Sequence, residues 1–310
     1  MRDLLKTLET SKILLGDGAM GTQLQEAGWE MGDCPESWNE EYPEKVLAIL
    51  AGYVDAGSDL IETNTFGGSA IKLGDYQLQD KTESYNSQAA QVGRAAAGED
   101  TFVLGSVGPT GHLMEPLGPI GESDMIESFA RQVRGLAEGG VDAVCIETMM
   151  GLDEALAALK AAKDNTDLPV IVTFTFDRGP EGQFRSMMGV SPTQAAEELT
   201  AAGADIVGSN CGLGIEDMIG IASELRQGTD GFIMVQPNAG IPIMEKGRTI
   251  YPSTPIQMAE QISQLVEAGA INILGGCCGT TTDHIRAFRR TIDQLGLGRS
   301  DRGNRSSANP

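Results

Sequence analysis

Histidine is nearly missing from this 310-residue chain: His112 and His284 are the only two. That scarcity removes the commonest general base from most of the molecule. Positive charge is scarce as well. Lys+Arg is 22 against Asp+Glu 44, a net charge of −22. Such a surface repels phosphate backbones and anionic lipid, so neither nucleic acid nor a membrane is an expected partner. No apolar run approaches the roughly 20 residues that cross a bilayer. The N-terminal MRDLLKTLETSKILLGDG has no long apolar core and does not read as a signal peptide. Cysteine is sparse and odd in number: Cys34, Cys145, Cys211, Cys277 and Cys278. Without a secretion signal, that count argues against a disulfide framework and for a reducing, cytoplasmic setting.

What the chain does have is regular alternation. Eight short apolar, β-branched runs recur: KILLGDG, SDLIETNTF, TFVLGSVGPT, DAVCIETMM, LPVIVTFTF, ADIVGSNCG, FIMVQPNAG and INILGGCCG. Each suits a strand buried on both faces. Amphipathic stretches lie between them, including PEKVLAILAGYVDAG, MIESFARQVRGLAEGG, LDEALAALKAAKD, SPTQAAEELTAAG and STPIQMAEQISQLVEAG. Most end in glycine, a common helix stop. Alternation predicts a parallel sheet. Eight units in a chain of this length predict a single-domain α/β (β/α)8 TIM barrel over residues 1–297. An open sheet is the alternative that periodicity alone leaves standing. The pieces FGGSAIKLGDYQLQDKTESYNSQ and TGHLMEPLGPIGESD read as long loops at the barrel mouth. Residues 298–310 are polar and aperiodic and read as a disordered tail.

Barrels of this kind place chemistry at the C-terminal ends of their strands. There the sequence offers Asp17-Gly18-Ala19, Glu62-Thr63-Asn64, Gly108-Pro109-Thr110, Glu147-Thr148, Asn210-Cys211-Gly212, Pro237-Asn238-Ala239-Gly240 and Gly275-Gly276-Cys277-Cys278-Gly279. Adjacent cysteines are poor disulfide partners. By themselves, Cys277 and Cys278 admit either a metal-ligand pair or a redox switch. Cys211 follows the sixth run as the pair follows the eighth, so all three thiols can meet across the mouth. Three thiolates with one open position describe a reactive zinc site, one zinc ion per chain. Cys145, within a strand, reads as a small core hydrophobe, and Cys34 as an incidental loop thiol. Met20, Phe66 and Phe174 read as packing residues.

Three thiolates make zinc a weak Lewis acid for water but still lower the pKa of a thiol that takes the open position. With His112 in a loop and His284 early in the last helix, no histidine stands ready for hydrolysis. The residues favour alkyl transfer to a thiol. A non-catalytic zinc- or thiol-binding barrel and a redox protein using Cys277 and Cys278 are the alternatives from other classes.

DGAMGT, TNTFGG, GPTG, IET, NCGLG, PNAG and GGCCGTT occur in the order of the homocysteine S-methyltransferase family. From about Ile13 to Arg290 the chain resembles that family, and most of all the homocysteine-binding modules of cobalamin-dependent methionine synthases. The resemblance implies methylation of homocysteine to methionine, with Cys211, Cys277 and Cys278 as zinc ligands. It implies that Asp17 and Glu147 grip the substrate ammonium, and that the backbone of Gly18, Ala19, Met20 and Gly21 meets its carboxylate. Asn238 is a candidate weak zinc ligand when substrate is absent. Asn64 is carried as a substrate contact, with loop structuring as its alternative, as for Thr63. The synthases continue into folate and cobalamin modules that are not seen here. The expected donor is thus a methylcorrinoid (methylcobalamin) on a separate corrinoid-binding protein, or a small donor such as S-methylmethionine or betaine.

Overall fold

The structure, a computed structural model, describes residues 3–245, 248–267 and 270–299. Eight parallel strands form its centre: β1 (Leu14–Leu15), β2 (Leu60–Glu62), β3 (Phe102–Val107), β4 (Ala143–Met149), β5 (Val170–Phe174), β6 (Ile206–Asn210), β7 (Phe232–Gln236) and β8 (Ile273–Leu274). Their order is β1-β8-β7-β6-β5-β4-β3-β2, with every neighbouring pair parallel. Each coincides with one of the eight apolar runs, and the fold is the expected (β/α)8 barrel. The strands are short and buried throughout because helices cover one face and the barrel interior the other.

The interior is filled by residues from all eight strands. Leu14, Leu60, Phe102, Leu104, Ala143, Cys145, Ile171, Ile206, Met234 and Ile273 form one cluster, and Leu4 and Leu8 of helix α1 (Leu4–Thr10) join it. Such layered filling makes the barrel a packed core rather than a pore. Helix α1 was not legible, because seven residues give too little periodicity. Cys145 is fully buried in this cluster, the core role expected of it.

Outside the strands run α2 (Pro43–Ala56), α3 (Thr82–Ala97), α4 (Glu122–Gly139), α5 (Leu152–Asn165), α6 (Pro192–Ala201), α7 (Ile215–Gly228), α8 (Pro255–Glu267) and α9 (Thr282–Gln294). The five amphipathic stretches named above lie on α2, α4, α5, α6 and α8. The expected loop 66–88 is wrong in two places: Ala70–Gly74 form a short helix, and α3 begins at Thr82. This helix buries Tyr85, Asn86, Ala89, Ala90, Gly93 and Ala97, a face of small residues with little apolar signal. Small size is what it needs. A Cβ added at Gly139 of α4 would stand 2.5 Å from the Ala90 Cβ, so the two helices meet almost backbone to backbone.

The strand order ends at β1 and β2, and side chains fasten that seam. The Asp59 N–H donates to Leu15 O at 2.6 Å, and the Leu15 N–H donates back to Asp59 Oδ2 at 2.9 Å. Asp59 Oδ2 also accepts from Arg289 of α9, while Ser58 Oγ donates to Gly16 O. At the upper end, the Glu62 N–H donates to Asp17 Oδ2 at 2.8 Å.

Two small hairpins rise from the mouth, pairing 177–178 with 184–185 and 243–245 with 248–250. Among the described residues, no helix is long and apolar enough to cross a membrane. The expected tail, from residue 300 onward, lies outside the described residues. Arg299 is buried, donates to Asp100 O at 3.0 Å and lies over the Phe102 ring, so the ordered chain continues past 298.

Candidate active site

The three thiols converge. The sulfurs of Cys211, Cys277 and Cys278 lie within 4.8 Å of one another, the only such metal-competent group among the described residues. Cys211 Sγ and Cys278 Sγ are 3.8 Å apart. Two sulfurs bound to one tetrahedral zinc at about 2.3 Å stand roughly 3.8 Å apart, so the donor set fits that ion. Cys211 follows β6 directly, and its N–H donates to Gln236 O. The Cys277 N–H donates to Pro237 O, and Cys278 O accepts from the Ala239 N–H. Segment 236–239 therefore stitches both cysteine loops together. Cys211 has φ 61°, a left-handed conformation unusual for a residue with a side chain; such strain is characteristic of functional sites. Gly279, at φ +79°, is obligatory: a Cβ there would stand 2.2 Å from Tyr251.

As free thiols the three share protons unequally. Hydrogen bonds from Cys211 and Cys277, and one from Tyr251, pull Cys278 down to about 3. The bonds it gives to Cys211 and Cys278 push Cys277 up. Cys211 is drawn down by Cys277, but donation to Cys278 and burial outweigh that and carry it to about 11. One thiolate fastened by two thiols is a natural stand-in for the metal-bound trio.

Beside the sulfurs lies a cavity of about 370 Å³. Asp17, Glu62 and Glu147 all line it. Lys72 is the one basic residue on its wall, and its ammonium is 3.0 Å from Asp75. Glu147 sits at an irregularity in the β4–β5 pairing, next to Thr148 at φ 61°. That bulge turns its carboxylate toward Ser106 Oγ, which donates to Oε1, and Asn210 Nδ2, which donates to Oε2 at 3.0 Å. Burial pushes Asp17 up to about 8. Burial, and then the Asp17 charge, push Glu62 up to about 7. Burial and the Glu62 charge push Glu147 up as well.

These shifts predict a pH dependence. The ordinary values for Asp17 and Glu62 are 3.8 and 4.5. Folding therefore tightens proton binding, and the stability this lends is complete below about pH 4 and lost as pH rises through 7 to 8. Asp17→Asn keeps an acceptor for the Glu62 N–H and removes one titrating group. Between pH 5 and 8, the metal-free wild type should lose melting temperature relative to this variant. A difference that stays flat across that range contradicts the assignment.

Not every candidate faces the cavity in the expected way. Asn64 lines it, but its amide donates to Pro35 O at 2.8 Å and its carbonyl accepts from Asn39 Nδ2. With Glu36 Oε1 accepting from the Gly67 N–H, this latch holds segment 34–39 against loop 64–67, and the Asn64 amide is part of it. Gly18, Ala19, Met20 and Gly21 line the cavity, yet the Ala19 N–H is taken by Thr280 Oγ1 at 3.1 Å. Asn238 is buried and its Oδ1 has no hydrogen-bond partner, but it is not among the cavity-lining residues. Phe174 is core, as expected, whereas Phe66 is 43% exposed and walls the cavity. Cys34 is no exposed loop thiol: it is buried, donates to Glu36 Oε2 at 3.3 Å and is pushed up to about 12 by burial and that carboxylate. His112 bonds Asp75, and His284 closes a capping box with Thr281; neither lines the cavity.

Glu62 and Asn210 stand among the strand-end residues read from sequence but were given no role there, and Gln236, Ser106 and Tyr251 were not singled out. Glu62 had a signal, standing at the end of the second apolar run. Ser106 and Asn210 depend on Glu147, 41 and 63 residues away, and Gln236 on Glu62, 174 residues away.

Residues 14–292 match the family described as homocysteine S-methyltransferase. Methionine synthase of Mycobacterium leprae is 33% identical over 320 residues, covering 98% of this chain and 26% of that protein. Methionine synthase of Mycobacterium tuberculosis is 32% identical over 310 residues, covering 94% and 26%. The chain thus spans about a quarter of the length of these relatives. The metallated homocysteine methyltransferase MmuM of Escherichia coli superposes with a TM-score of 0.76 at 21% identity, over 93% of this chain and 99% of that one; that likeness shows a shared fold. A match running from the first barrel strand into the last helix leaves no part of the barrel unaccounted for, and the chain belongs to the homocysteine S-methyltransferase family.

Proposed function

We propose that this barrel transfers a methyl group to the thiol of homocysteine, forming methionine, with zinc held by Cys211, Cys277 and Cys278. The observation that carries the reading is the meeting of three sulfurs with a carboxylate-walled cavity. The thiols suit a soft metal, and the carboxylates suit an ammonium. Two relatives are named methionine synthase, and the E. coli homocysteine methyltransferase has been solved in a metallated form. The donor we propose is a methylcorrinoid carried by a corrinoid-binding partner, in keeping with the resemblance to cobalamin-dependent synthases.

Zinc, when bound, would lower the pKa of a thiol that joins it, so the substrate sulfur is nucleophilic at neutral pH. The remaining work falls to the chain. Asp17 and Glu147 accept hydrogen bonds from the substrate ammonium, and Ser106 and Asn210 hold Glu147 in place for it. The Gly18–Gly21 turn presents backbone N–H groups to the carboxylate, with Ala19 already spent on Thr280. Asn238, with its unpartnered buried oxygen, stays a candidate weak ligand. Met20, Trp29 and Phe66 give the cavity apolar walls that exclude water beside the sulfur.

A donor screen tests this reading. Zinc-loaded protein with homocysteine should form methionine from methylcobalamin. Methionine from S-methylmethionine or betaine, and none from methylcobalamin, would correct the donor. No methionine from any of the three would overturn the transfer reading.

A further inference from the structure

Glu62 has no assigned role, although it faces the same cavity as Asp17 and Glu147. Its Oε1 accepts from Gln236 Nε2 at 3.0 Å and lies 3.8 Å from Cys145 Sγ. The Glu62 charge in turn pushes Glu147 up, and both carboxylates stand on one cavity wall. The groups facing it are Asp17, Glu147, Cys145 and Gln236, none of them cationic. Gln236 is 2% exposed, and its own Oε1 is buried with no hydrogen-bond partner. That orphaned oxygen is costly unless a ligand supplies a donor.

The two other carboxylates, which also meet the ammonium, carry hydrogen bonds within the fold as well. Asp17 Oδ2 fastens the β1–β2 seam through the Glu62 N–H, and both Glu147 oxygens hold neutral donors. We infer that Glu62, fastened by Gln236, is the specificity-determining residue for the substrate amine: this pair makes the cavity select an α-ammonium over the same thioether without it. The inference rests on the homocysteine reading and adds a determinant to it. An ammonium brings three donors and a positive charge, which answers the orphaned Gln236 oxygen and offsets the carboxylate charge gathered on this wall.

The test measures affinity rather than turnover. Zinc-loaded wild type is titrated calorimetrically with L-methionine and with 4-(methylthio)butanoate, its deaminated analogue. Methionine should bind more tightly by roughly 100-fold, the scale of a charged hydrogen-bond network. Glu62→Gln keeps an acceptor for Gln236 but loses the charge. Its preference should shrink to about tenfold or less, with binding of the butanoate unchanged. Gln236→Leu should shrink the preference too, and serves if Glu62→Gln does not fold. Retention of the wild-type ratio in both variants overturns the role of Glu62, as does an equal loss of both ligands, which marks a structural residue. Wild type that binds neither compound sinks the homocysteine reading itself, a distinct result.

Discussion

Cys277→Ala is expected to leave the protein without its metal and to lower methionine formation by on the order of 10³-fold or more, the equivalent of several kcal/mol of lost activation. The wild type should carry about one zinc per chain. The Cys277 sulfur lies within 4.8 Å of both other cysteine sulfurs, and Asn210 Nδ2 approaches it at 3.9 Å. Removing it leaves two ligands where a catalytic zinc needs three. Elemental analysis gives the metal content directly. Thiol titration gives an independent reading, since zinc-protected cysteines react only after chelation. Cys34→Ala, remote from the cluster and bonded to Glu36, should keep its zinc. A Cys277→Ala protein with full zinc and full activity would remove the mechanism.

Asp59→Ala is expected to be the most damaging change outside the site, costing about 3–5 kcal/mol. Asp59 is fully buried, and its carboxylate holds both the Leu15 N–H and the Arg289 guanidinium. Alanine removes the buried partner of the Arg289 guanidinium, leaving it Asp293 and Gly57 O, and frees a strand N–H at the seam where the sheet order ends. For a chain of this size the melting temperature should fall by roughly 5–8 °C. The double variant Asp59→Ala/Arg289→Ala should lose less than the sum of the two single changes, because each single change wastes the same pair. A loss under about 1 kcal/mol for Asp59→Ala would show that the seam does not depend on it.

These two sites differ in how far they could be read ahead. The thiol cluster was legible because Cys211 and Cys277–Cys278 each follow an apolar run, and strand ends in a barrel share one mouth. The seam was not, since Asp59 precedes its strand and its partner Arg289 is 230 residues away. Helix α3 escaped because its buried face is mostly small or polar, with Tyr85 its one large ring, and close approach replaces apolar bulk. Asn64 and Phe66 were assigned by residue type, and each met a neighbour that type does not foretell: Pro35 for the amide, an open cavity for the ring.

The sequence by itself determined the eight strand–helix units and which thiols stand at strand ends. These are local properties, carried by the period of apolar residues and by where each run stops. Only the tertiary structure decided that Glu62 joins Asp17 and Glu147, that Gln236 fastens it, and that Asp17 serves both the seam and the cavity. Such pairings depend on the stagger of strands around the closed barrel, and stagger is set by the packing of the whole interior at once.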